Sequence, residues 1–353
     1  MKKVEIFVKN LLLKLLLLLL KRKNSKDKVV FDQNSRVLFI RLNRIGDALV
    51  STPLLKLIKE KTGCHISVIA DKNNSFVFKN NSSVDEIILF NKGFSGILAL
   101  LKEIKRGRYD AFVDLHDDVS TTVTYIFALS SVKNKFGLKK SNSEVYTQTV
   151  DRLDASKTHV VDRLLQLVRL FGLDPGSADT NIVFCPSQPA VAKINKMLET
   201  RNLKNGRPLV GINISAGNVS RFWGVENFRN ITNLMQQYNA DYIIICTTKD
   251  INQALEISKN DKSRLFYSPS FDEFAAVVSK LDLLFTPDTS IIHLASAYCV
   301  PVFGLYVKFN TSDMIWSPYK SDFDCIVTEN YNLSNITAEM AVEKFKPFLE
   351  KHL

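Results

Sequence analysis

Three stretches of the chain carry residues whose types and spacing can do chemistry. The first, LDLLFTPDTSIIHLASAYCVPVFGLY at 281–306, sets a turn, Pro287-Asp288, between a strand-like run and a helix-like one. The first N–H groups of a helix lack intrahelical partners and face the positive end of its dipole, so they can hold an anion. Asp288 or Thr289 can cap this helix, Thr289 and Ser290 are short enough to let a diphosphate reach the backbone, and His293 lies one turn in. The plainer alternative is a capping Asp288 and a satisfied surface His293. The second stretch is INISAGNVSRFWGVENF at 212–228. Its Ser215-Ala216-Gly217 turn follows a strand's carboxyl end, where ligands of open α/β sheets bind. Arg221 beside Trp223 offers a guanidinium fork for phosphate oxygens, or it simply stacks on the indole. The third, VLFIRLNRIGDALVSTP at 37–53, ends an apolar run in a turn with one glycine, Gly46, followed at once by Asp47. A phosphate-binding turn is expected to carry several glycines and no carboxylate. Asp47 either caps the helix expected at 48–59 or has another task.

The elements that would position these residues alternate in type. Strand-length apolar runs occur at 37–42, 66–70, 85–90 and 111–115, with helical periods near 48–59, 97–105 and 160–171. The segment GLDPGSADTNIVFCPSQP, rich in Gly, Pro, Ser and Asp, reads as a linker. The alternation restarts with strands at 209–214, 242–246, 265–267, 283–286 and 302–305, and helices near 226–237, 271–280, 291–298 and 338–349. Such alternation implies βαβ units and buried parallel sheets. The predicted fold class is therefore α/β, two Rossmann-like doubly wound domains facing each other across a cleft. The expected boundaries are residues 29–180 for the first domain and 181–353 for the second.

Charge is unevenly placed. Nine lysines and arginines against Glu5 and Asp27 put +7 of the formal +11 into residues 1–28, which leaves +4 for the rest. This distribution argues against a nucleic-acid-binding face. The segment MKKVEIFVKNLLLKLLLLLLKRKNSKDK falls short of the roughly 20 apolar residues that span a bilayer. It fits an amphipathic segment lying on an anionic membrane surface, leucines in the acyl boundary and lysines at the headgroups. Packing on the protein body or on a partner, and a spanning or cleaved segment, are the alternatives. Cys64, Cys185, Cys246, Cys299 and Cys325 form no CxxC pair and read as reduced thiols of a cytoplasmic protein.

Taken together, Arg41-Leu42…Gly46-Asp47, Arg221-Phe222-Trp223 and Asp288-Thr289-Ser290…His293-Leu294-Ala295 resemble glycosyltransferase family 9, the lipopolysaccharide heptosyltransferases. Thr52-Pro53-Leu54 and Val300-Pro301-Val302 also fit, and the resemblance spans roughly 36–350. It implies a GT-B architecture in which the first domain binds the acceptor and the second a nucleotide-sugar donor, with no required metal or other cofactor. It implies inverting transfer of heptose from ADP-heptose to a lipid-anchored inner-core saccharide at the inner face of the cytoplasmic membrane. Asp47 is then the matching general base and Arg221 the matching cation for the departing diphosphate. Ser215, Asp288, Thr289, Ser290 and His293 would line the donor site, while His159 and Arg163 would face the acceptor. The C-terminal helix is implied to cross back to the first domain.

The chain departs from the family pattern at Ser290, where glycine is common, and at Gly224, where proline often follows the tryptophan. It also departs at DLHDD, whose Asp114, His116, Asp117 and Asp118 read most simply as a solvated turn. Alternatives in the same fold are a nucleotide-sugar epimerase or a catalytically silent binding protein.

Overall fold

The computed structural model describes residues 29–176 and 181–353. The basic leucine-rich segment 1–28 lies outside the described residues. Contacts divide the chain into two compact units with the boundary between Val183 and Phe184, inside the Gly/Pro/Ser-rich stretch.

The first unit is built on a six-stranded sheet in the order β3-β2-β1-β4-β5-β6. The strands are β1 (Arg36–Ile40), β2 (His65–Ala70), β3 (Glu86–Leu89), β4 (Ala111–Asp114), β5 (Asn134–Leu138) and β6 (Gln148–Val150). All pairs are parallel, with Val37 in register with both Ile66 and Ala111. A strand covered on both faces needs a continuous apolar run, and Val37 to Ile40 are fully buried. Leu38, Ile40 and Phe112 face helices Phe94–Gly107 and Thr121–Leu129 through Leu100, Ile104, Ile126 and Phe127. Phe39 and Phe136 point to the opposite face, where Phe171 and Phe31 pack on them.

The second unit repeats the plan with the order β12-β11-β10-β7-β8-β9. These are β7 (Leu209–Asn213), β8 (Asp241–Cys246), β9 (Leu265–Tyr267), β10 (Leu283–Pro287), β11 (Val302–Val307) and β12 (Phe323–Thr328). Its core joins Trp223, Phe228, Phe285, Phe303 and Phe345, the last from the C-terminal helix Ala338–His352. Each such ring fully buried contributes about 1.5–3 kcal/mol. In both sheets the first strand lies between neighbours reached in opposite directions, so a crevice opens at the carboxyl ends of β1 and β4 and of β7 and β10.

The strands with long apolar runs lie within a residue or two of their expected places, and the doubly wound α/β class holds for both units. Three strands went unforeseen, β5, β6 and β12. NKFGL in β5 carries Asn, Lys and Gly, and Gly137 is there because a Cβ would meet the Tyr146 ring at 2.7 Å. Helix Thr121–Leu129 was also missed: TTVTYIFAL is β-branched and aromatic, a strand-like composition that burial overrides. The expected helix at 48–59 is two helices, Ile45–Leu49 and Thr52–Thr62. All five cysteines are free thiols.

Candidate functional site

In the first unit the chain leaves β1 through Arg41–Arg44, and both neighbouring strands hold that exit. On the β2 side, Arg41 N–H donates to Ile69 O at 2.9 Å. The Asn74 amide donates to Arg41 O at 3.0 Å, and Asn43 N–H donates to Asp71 Oδ2 at 3.3 Å. On the β4 side, Leu42 N–H donates to His116 Nε2 at 3.3 Å, and Arg41 Nη1 donates to Leu115 O at 2.8 Å. The left-handed residue that turns the chain is Asn43, at φ 73°, while Gly46 lies inside the short helix Ile45–Leu49. The sharp bend is thus supplied by Asn, whose short polar side chain tolerates this region, and Gly46 does not make it.

Asp47 sits in the first turn of that helix and caps neither helix: Arg44 and Ser51 are the N-cap residues. Its Oδ1 accepts from Nη2 of Arg41, whose side chain is only 4% exposed against 18% for Asp47. Burial pulls the Arg41 pKa down, opposed first by Asp47 and then by Asp114. Among the described residues Oδ2 of Asp47 takes no hydrogen bond. One oxygen therefore neutralises a buried guanidinium, and the other can accept a proton.

The DLHDD stretch is not a solvated turn. Asp114 and Asp117 are buried, and only Asp118 stands in solvent. Asp114 takes Lys140 Nζ at 2.9 Å, the Tyr146 hydroxyl at 2.5 Å and His116 Nδ1 at 2.7 Å. Burial raises its pKa, but Lys140 and His116 outweigh that and hold it far below the usual carboxylate range. With Nδ1 on the carboxylate and Nε2 accepting from Leu42, His116 fits a neutral ring, and burial lowers its pKa. Asp117 is gripped by Arg152 (2.8 Å) and Arg163 (2.8 Å), which overcome burial and lower its pKa. The partners come from far along the chain, so the sequence shows an acidic run where the fold shows a neutralised network.

In the second unit, Asn213 at the end of β7 donates to Thr286 Oγ1 of β10 at 2.8 Å, which ties the two strands together at the crevice. Ser215 Oγ donates to Asp250 and accepts from Thr247 N–H at 2.8 Å, so its hydroxyl braces the loop after β8. Arg221 Nη1 pairs with Asp288 Oδ2 at 2.8 Å and donates to Asp288 O at 3.1 Å. The Asp288 pKa is raised by burial despite the arginine. Trp223 does not flank Arg221 as an exposed plate: it is 3% exposed, donates Nε1 to Ile336 O at 2.8 Å and meets Phe228 edge-on. Gly224, at φ 100°, occupies a backbone conformation that proline, locked near −65°, cannot take.

Helix Ile291–Ala297 starts at Ser290, which makes no side-chain cap; Asp288 is no cap either, because it belongs to Arg221. Thr289 and Ser290 lie half-buried at this start, and His293 is buried with its ring 5.8 Å from that of Trp316. The first unit places His159 at the N-cap of helix Val160–Leu165, Nδ1 accepting from Val161 N–H at 3.2 Å. Arg163 in that helix is 1% exposed, with all of its guanidinium nitrogens engaged by Asp117 and Thr158 O.

Sequence reasoning missed Asn213, Thr247, Asp250 and Tyr306. TTKD directly after the β8 run was a legible signal, a polar cluster at a strand's carboxyl end. Tyr306 gave none: it reads as one more apolar β11 residue, yet its buried hydroxyl takes no partner among the described residues. No group of three or more His, Cys, Asp or Glu that could hold a metal ion occurs among the described residues. No helix among them is long and apolar enough to cross a membrane.

The profile of glycosyltransferase family 9 (heptosyltransferase) matches residues 97–346. Over 281 residues the chain is 21% identical to the lipopolysaccharide core heptosyltransferase OpsX of Haemophilus influenzae, covering 77% of this chain and 78% of that one. It is 23% identical over 315 residues to the putative lipopolysaccharide heptosyltransferase 4 of Escherichia coli, covering 86% and 84%. A glycosyl transferase family 9 crystal structure from Veillonella parvula superposes with a TM-score of 0.77 at 18% identity, covering 91% of this chain and 99% of that one. The E. coli ADP-heptose LPS heptosyltransferase II superposes at 0.69 with 17% identity, covering 90% and 99%. At these identities the structural matches establish the shared GT-B-like fold.

Proposed function

The chain belongs to glycosyltransferase family 9, and from that premise we propose that it transfers heptose from ADP-heptose to a lipid-anchored inner-core saccharide, inverting the anomeric centre. The acceptor hydroxyl gives its proton to Asp47 Oδ2 while its oxygen forms the new bond to the anomeric carbon. The bond from that carbon to the β-phosphate oxygen breaks, and its electron pair leaves with ADP. A base held at the reacting hydroxyl contributes typically about 10²–10⁴-fold. The observation that carries this reading is the divided carboxylate of Asp47, one oxygen fixed on Arg41 and the other unengaged, at the crevice end of β1.

Arg221 supplies the positive charge for the leaving diphosphate, where a preorganised donor is worth most. Asp288 holds that guanidinium until the donor arrives. Thr289 and Ser290 offer backbone N–H groups and hydroxyls beside it, and His293 supports the same turn. Ser215 shapes the donor side through Asp250 and Thr247. His159 and Arg163 serve the acceptor side, His159 by capping helix Val160–Leu165 and Arg163 by fixing the loop that carries Asp117. Residues 1–28 would keep the enzyme on the inner face of the cytoplasmic membrane, where a lipid-anchored acceptor lies.

A thermal-shift panel of ADP, UDP, GDP and CMP tests the donor. A ligand that binds only the folded protein stabilises it by about 2.7 kcal/mol at a hundred times its Kd. ADP should raise the melting temperature and the others should not. A shift with UDP and none with ADP overturns the donor assignment.

A further inference from the structure

We propose that the outer face of helix Phe94–Gly107, together with the basic pocket at its C-terminal end, is a docking surface for an anionic phospholipid bilayer. One stripe of this helix buries Leu100 and Ile104 in the first unit's core. The adjacent stripe leaves Phe94 78% and Leu98 46% exposed, one turn apart, with Leu101 half-buried behind them. Single exposed apolar residues are ordinary, but a contiguous patch on a helix with a basic border marks an interaction surface.

The border is basic. Lys102, Lys105 and Arg106 flank the apolar stripe, and Lys105, Arg108 and Lys133 outnumber the one carboxylate, Asp110, in a shallow pocket of about 340 Å³ at its end. Among the described residues none of these five cations is in an ion pair, whereas Lys59, Lys204 and Lys351 elsewhere each hold an aspartate. Exposed unpaired cations beside protruding apolar side chains complement headgroup phosphates above acyl chains.

Two other occupants fit less well. A second copy related by a two-fold axis would set this cationic face against itself. Residues 1–28 carry +7 themselves. Moreover, the described chain begins on the other face of the sheet, where Phe31 packs on Phe136 and Phe171.

The inference rests on the proposed function only in that a lipid-anchored acceptor gives such a surface its use; its test involves no donor and no turnover. The probe is full-length Phe94→Trp protein with vesicles of phosphatidylglycerol and phosphatidylcholine carrying brominated acyl chains. On binding, the added emission should shift to the blue and be quenched at least twofold more than that of the wild type. Lys102→Glu with Lys105→Glu should weaken vesicle affinity at least tenfold, and pure phosphatidylcholine should bind neither protein appreciably. Failure to bind anionic vesicles overturns the proposal, as does binding without added quenching, which would place another surface on the bilayer. So does an added emission already shielded from aqueous iodide without vesicles, which would show that protein covers the helix.

Discussion

Replacing Arg163 with methionine separates two roles that this arginine could have. Its Nε and Nη2 hold Asp117 at 3.1 and 2.8 Å, and Nη1 holds Thr158 O at 2.6 Å. The two side chains are 1% and 7% exposed, so the pair is inside the fold and solvent screening is slight. Removing one partner of a buried pair costs about 3–5 kcal/mol because the other charge stays buried. Arg152 still reaches Asp117 from a side chain 27% exposed, and methionine keeps most of the volume, which puts the loss near ~3 kcal/mol. At about 2–4 °C per kcal/mol for a unit of this size, the first unit should melt about 6–12 °C lower. Scanning calorimetry and steady-state transfer on the same preparation read both quantities, and KM for the acceptor should stay within about twofold. An unchanged melting temperature with KM raised tenfold would refute the structural reading and make Arg163 an acceptor ligand.

Arg221→Gln should lower kcat by about 10²–10³ in single-turnover assays, and it should move the melting temperature less than Arg163→Met does, since Arg221 is 37% exposed on the side chain. An unchanged kcat would remove Arg221 from the reaction. Acid should destabilise the first unit in two stages. His116 is held below its ordinary value by burial, and Asp114 and Asp117 below theirs by their cationic partners despite burial. A group with a depressed folded pKa contributes stability that is whole above its unfolded pKa and is lost as pH falls toward the folded one. Melting temperature should thus decline below about pH 6.5 through His116, then more steeply below about pH 4 through the aspartates. His116→Asn should abolish the first stage, and a wild-type protein that gains stability from pH 7 to 5 would contradict the assignment.

The strands that form the two crevices were legible because doubly covered parallel strands demand unbroken apolar runs, as in VLFI of β1 and LLF of β10. Two of the four edge strands, β6 and β12, were not, because a half-exposed edge needs no such run, and the interior β5 breaks its own run with Asn, Lys and Gly. Asp47 and Asp288 were found by position, at the ends of those runs. Their partners were beyond reach, because sequence spacing does not reveal that Asp288 meets Arg221 67 residues earlier or that Asp117 meets Arg163 46 residues later. For the same reason Asp114, Asp117 and His116 looked like a solvated acidic turn until Lys140, Arg152 and Arg163 were seen to neutralise it. The N-cap alternative for Asp47 failed on a local detail, since the chain divides into two short helices and starts them at Arg44 and Ser51.

Asp47→Asn tests the central claim most directly. Asparagine keeps an oxygen for Arg41, so the buried guanidinium retains an acceptor and the variant should fold and bind donor. It loses only the anionic oxygen that takes the acceptor's proton. With donor binding confirmed by thermal shift on the same sample, the rate of sugar transfer should fall by about 10²–10⁴. A folded, donor-binding Asp47→Asn protein that transfers at the wild-type rate would contradict the account.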